Sequence, residues 1–119
     1  MIAVIFESWP ADGKMQTYLD MGKSLLSDLS GIDGLISIER FQSVTDPSKL
    51  VALSFWRDEA AVDAWRNVSI HRAVQTASRR DVFRDYRLRV AKVVRDYGRF
   101  DRAEAPVDTQ VHDLAGGRP

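Results

Sequence analysis

Apolar residues recur along this chain at two spacings, every second position in four stretches and every third or fourth in two others. Ile2 to Trp9 sets Ile2, Val4 and Phe6 against Ala3, Ile5 and Glu7, which is the period of a β-strand. Both of its sides are apolar, so both faces of this strand are expected to be covered. Pro10-Ala11-Asp12-Gly13 is turn chemistry, with Asp12 as a candidate helix cap. From Lys14 to Ser30, the residues Met15, Tyr18, Leu19, Gly22, Leu25, Leu26 and Leu29 form one helical stripe. Gly22 on that stripe costs about 1 kcal/mol of helix propensity relative to alanine. It serves either a close approach of helix to sheet or the space of a pocket. Gly31 stands where a glycine C-cap is expected.

Gly34 to Ser43 and Leu50 to Arg57 are two further strands. Thr45-Asp46-Pro47-Ser48 joins them as a tight reversal, so they pair as an antiparallel hairpin. In the second of them Val51, Leu53 and Phe55 line one face, and Leu50, Ala52, Ser54 and Trp56 the other. Asp58 caps a second helix, with Glu59 in its first turn and Ala61, Ala64, Trp65 and Val68 as its inward stripe. Asn67-Val68-Ser69-Ile70 contains poor helix formers, which predicts a kink and a second helical segment from about Ile70 to Ser78. Val82 to Tyr97 reads as a long closing strand with Tyr86, Leu88, Val90 and Val94 on one side.

The order β-α-β-β-α-β predicts an α+β, ferredoxin-like fold, a four-stranded antiparallel sheet with two helices on one face. Residues 1–98 form that domain, and 99–119, polar and without period, form a C-terminal tail that is flexible or packed on a partner. Two helices cover one sheet face, yet the strands are apolar on both. An uncovered face carrying Trp56 would exceed what a soluble monomer tolerates, so a homodimer with sheets packed face to face is expected.

Composition removes several classes of function. There are no cysteines, which excludes disulfides, thiolate nucleophiles and zinc-thiolate sites. Seventeen basic residues balance seventeen acidic ones, so no net field draws the chain to nucleic acid or an anionic membrane. The apolar runs are too short to span a bilayer, and no signal peptide is read at the N-terminus. A cytoplasmic location is the expectation. Glycine-rich phosphate loops, HExxH and GxSxG are lacking from the sequence. His71 and His112 are the two histidines, which argues against a multi-histidine metal site. The candidate chemistry therefore lies on the second helix. Trp65, Ala61, Val68 and Gln75 share a face there, with His71 at its edge. Either these residues wall a cavity that Gly22, Phe55 and Arg87 bound, or Trp65 is a core anchor and His71 a partly exposed helix residue.

The element order, the segment SFWRDEAAVDAW, His71 with Arg72 and Gln75 after it, and the closing VFRDYRLRVAKVVRDYG resemble the antibiotic biosynthesis monooxygenase (ABM) superfamily over about residues 1–98. The resemblance implies a dimeric α+β barrel. It also implies a monooxygenase that oxidises a small aromatic or quinol-like substrate with O₂ and no bound cofactor. Trp65 matches that family's second-helix tryptophan, His71 the position of a proton-relay residue, and Arg87 more loosely a basic residue of the last strand. An imidazole, with an ordinary pKa of about 6.5, serves as a proton acceptor. The family's other chemistry is haem degradation, with a first-strand asparagine, the helix tryptophan and a histidine ligand. Here the first strand has Glu7 and Ser8, and the ligand position falls near Gln75, a poor haem ligand. Haem is thus the alternative cofactor, and a non-catalytic ligand-binding or interaction dimer the alternative function.

Overall fold

The most continuously apolar strand of the sequence takes a central place, where both of its edges are paired and one of its faces meets the helices. The computed structural model describes residues 1–29, 31–75 and 82–107, with the side chains of 24–28 and 68–75 outside that description. Its elements are β1 (Ile2–Pro10), α1 (Met15–Leu29), β2 (Leu35–Gln42), β3 (Leu50–Trp56), α2 (Glu59–Gln75) and β4 (Phe83–Lys92). The sheet order is β2-β3-β1-β4, antiparallel throughout. This is the expected ferredoxin-like arrangement.

Register decides which residues meet the helices. Ile2 pairs with Trp56, Val4 with Ser54, Phe6 with Ala52 and Ser8 with Leu50, and side chains on paired positions share a face. Ile2, Val4 and Trp56 pack with Ala61 and Val62 of α2, joined by Ile32, Leu35 and Trp65. Trp56 is 1% exposed, donates its indole N–H to Ser54 Oγ at 2.9 Å and lies 5.6 Å from the Trp65 ring. A second cluster under α1 joins Tyr18, Leu50 and Val82 to Phe6, Met15, Leu19 and Phe83. There Tyr18 and Phe6 both meet the Phe83 ring edge to face.

Four expectations are corrected. Trp56 does not lie on the uncovered face; the register with Ile2 turns it into the core beneath α2. Ala3, Ile5, Phe41, Val51, Leu53 and Phe55 are apolar residues of the helix-free face, of which Ile5, Val51, Leu53 and Phe55 are half-buried. The closing strand stops at Lys92 rather than Tyr97, because Lys92 already pairs with Ile2 and Val93 bonds to Met1 O at 3.0 Å. Helix α2 passes through Asn67–Ile70 without a break. The propensity penalty of those residues is only some tenths of a kcal/mol each, too little to end a helix. Asp12 lies in the turn before α1, and the first helical bond runs from Tyr18 N to Lys14 O at 2.9 Å. The segment expected to be helical to Ser78 runs past Gln75 into residues outside the described set, and His112 lies outside it too.

Asp58 caps α2 as expected, accepting from Ala61 N at 2.9 Å. That bond, and then the Arg57 guanidinium, holds its carboxyl below the usual carboxylate range. Arg57 also grips Asp33 with two bonds of 3.0 Å, which lower the Asp33 pKa as well. These pairs are exposed, so solvent screens most of their energy. Their role is to pin the end of β3 to the turn that carries Gly34 (φ +88°). Among the described residues, no helix is long and apolar enough to cross a membrane.

Candidate functional site

Between Leu35 and Ser37, β2 carries an irregularity in its pairing to β3. One extra residue reverses which side chains face up. Downstream of it Ile38 pairs with Ser54, Arg40 with Ala52 and Gln42 with Leu50, so Ile38, Arg40 and Gln42 join the helix-facing side. There Met15 and Leu19 of α1 oppose Arg40, Phe41, Gln42 and Leu50 across a cleft of 320 Å³. Its walls are mainly apolar, and its one cation is Arg40.

The cleft explains Gly22. A Cβ at this position would run into the Arg40 guanidinium, so the glycine leaves the berth in which Arg40 lies along α1. Arg40 Nη1 donates to Leu19 O at 3.4 Å, and among the described residues no carboxylate pairs with it. Gln42 is turned toward the hairpin, donating to Pro47 O at 2.8 Å. Ser8, across β1–β3 from Leu50, is fully buried, and its Oγ has no partner among the described residues.

The sequence-predicted site residues separate into three groups. Gly22 borders the cleft through Arg40. Trp65 is half-buried against Trp56, six residues along β3 from Leu50 or about 20 Å away at strand rise; in this position it anchors the core. Phe55 pairs with Ala3, and Arg87 with Glu7, which puts both on the helix-free face with the sheet backbone between them and Gly22. His71 and Gln75 belong to α2, but their side chains lie outside the described residues. Arg40 was missed because its inward orientation depends on the irregularity at Leu35–Ser37. A charged residue amid Ile36, Ile38 and Phe41 was the signal available.

The helix-free face has its own polar centre. The Glu7 carboxylate bonds Arg89 at 3.0 Å and Lys49 at 3.3 Å, and Lys49 Nζ sits 5.2 Å over the Trp9 ring. Val51 pairs with Glu7, and Ile5, Leu53 and Phe55 continue the same face toward Ala3. Among the described residues, no group of three or more His, Asp or Glu side chains could hold a metal ion.

Comparison with known proteins places these features in a family. The family model for antibiotic biosynthesis monooxygenase matches residues 1–77. Jasmonate monooxygenase ABM of Pyricularia oryzae is 43% identical over 93 residues, which is 78% of this chain and 43% of that protein. The chain therefore spans less than half the length of that curated relative. A solved Deinococcus radiodurans structure superposes with a TM-score of 0.71 at 8% identity, covering 82% of this chain and 97% of that one. MhuD with an Arg-to-Ser substitution and two manganese protoporphyrin IX per active site gives 0.68 at 16% identity, covering 82% and 99%. At these identities the two structures speak to the fold alone. The family match covers more than half of the chain, and with the relative's identity it carries the assignment: the chain belongs to the antibiotic biosynthesis monooxygenase family.

Proposed function

We propose that the chain is a monooxygenase that oxidises a small cyclic substrate with O₂ and without a bound cofactor. The observation that carries this is the 43% identity to a curated monooxygenase over 93 residues. The substrate class is an electron-rich phenol or quinol-like ring with an acidified methylene. The step balances without an external reductant. A base removes a proton, the carbanion passes an electron to O₂, and the radical pair closes to a peroxide. Loss of water then leaves R₂C=O, so that R₂CH₂ and O₂ become R₂C=O and H₂O. The protein has to supply an apolar pocket, a proton acceptor and donors for the developing anion. His71 is the proposed acceptor, and the α1–β2 cleft is the proposed pocket. Jasmonate, the substrate in the relative's name, is a small cyclic keto acid, which extends the panel to compounds of that kind.

Oxygen uptake is the test, with anthrones, quinols and cyclic keto acids as substrates. Turnover with at least one of them, reduced at least tenfold in His71→Ala, is the expected result (a catalytic base is worth about 10²–10⁴-fold). No uptake across the panel, or uptake unchanged in His71→Ala, counts against the assignment. Haem is the second possibility. It is favoured by the porphyrin-bound MhuD of the same fold and opposed by Glu7 and Ser8 on the first strand. A haem titration giving a shifted Soret band would favour it.

The same proposal includes a homodimer through the helix-free sheet faces. Ile5, Val51, Leu53 and Phe55 are the apolar surface that a second copy would bury, with the Glu7–Arg89 pair at its centre. Light scattering at micromolar concentration is expected to give the mass of two chains, and Leu53→Asp to give that of one. A monomeric mass for the unaltered protein contradicts the dimer.

A further inference from the structure

We infer that the α1–β2 cleft takes a small amphipathic carboxylate, with Arg40 gripping its anionic end. This rests on the monooxygenase proposal only in identifying the cleft as the substrate pocket. Met15, Leu19 and Leu50 make walls suited to an apolar body, and 320 Å³ is at the small end of ligand pockets. The guanidinium has five N–H donors in a fixed fork. Among the described residues one of them is used, in a 3.4 Å bond to Leu19 O. No carboxylate among the described residues lies beside this partly buried cation, so its remaining donors are open to a ligand. A ligand carboxylate completes it with two parallel, charge-assisted bonds.

Gly22 adds the second half of the argument. Alanine there would favour the helix, yet a Cβ would displace the guanidinium. The chain accepts a weaker helix position and keeps room for the guanidinium against α1. Gly22 is accordingly a positioning residue for Arg40.

The experiment is titration calorimetry of the full chain with hydrocinnamate and with its methyl ester, which differ in charge and little in shape. The acid is expected to bind about tenfold or more tighter than the ester, as two charged hydrogen bonds imply. Arg40→Gln should weaken the acid by about that factor and leave the ester unchanged. Gly22→Ala should also weaken the acid while holding or raising the melting temperature, which a merely structural role for Gly22 would not produce. It removes no polar group, so it tests the inference even if Arg40→Gln fails to fold. Equal affinity for acid and ester, no binding of either, or unchanged acid affinity in both variants overturns the inference. Failure of the oxygenase proposal reads differently: acid preference would persist without oxygen uptake. Turnover with equal acid and ester affinity would sink the subsite alone.

Discussion

Trp56→Ala is expected to destabilise the protein by about 3–5 kcal/mol, the usual cost of emptying a buried tryptophan site. The ring is 1% exposed and is enclosed by Ile2, Val4, Ala61, Val62 and Trp65. These come from two strands and a helix that cannot all close on the void. The substitution also takes from Ser54 Oγ its 2.9 Å donor, inside the core. A domain of this size has about 5–15 kcal/mol of total stability, so the variant approaches the limit of folding. Urea unfolding checks this, with the midpoint falling while the slope stays constant. A loss below about 1 kcal/mol would place Trp56 at the surface after all.

Gly34→Ala carries the second large effect, about 2–5 kcal/mol, from two separable sources. Gly34 has φ +88°, where an L side chain costs roughly 1–2 kcal/mol. In addition a Cβ would collide with Ala61 Cβ, on α2 in the core. Overpacking of that kind costs about 1–3 kcal/mol. The double variant Gly34→Ala, Ala61→Gly removes the collision and leaves the backbone cost. A coupling of at least about 1 kcal/mol between the two substitutions is therefore expected. Strict additivity would mean that the turn before β2 relaxes away from α2, and that the collision plays no part.

Much of the fold was legible because its elements are periodic and well punctuated. Asp58 reads as a cap from its neighbours alone, and Thr45 to Ser48 reads as a hairpin. What escaped depended on strands meeting other strands. In β3 both faces are apolar, so alternation alone could not tell whether Trp56 or Phe55 met the helices. Pairing with Ile2 decided it. The end of β4 follows its pairing to Ile2 and has no signal of its own after Lys92. The Gly22–Arg40 berth joins a helix to a strand whose phase is reversed by one extra residue. Nothing local marks that reversal. The family resemblance carried by Ser54 to Gln75 was readable directly, but its site residues were harder to interpret. Phe55 and Arg87 occupy the opposite sheet face from Gly22, and Trp65 packs into the core on Trp56.

The central claim is that the chain uses molecular oxygen on a small organic substrate without a resident cofactor. Its most direct test is turnover of an anthrone by metal-free, haem-free protein under isotope-labelled dioxygen, with the product analysed by mass spectrometry. One labelled oxygen atom in the new carbonyl and one in water, with no added reductant, is the predicted result. Absence of label from the product, or turnover that appears only when haem or a reductant is supplied, would contradict it.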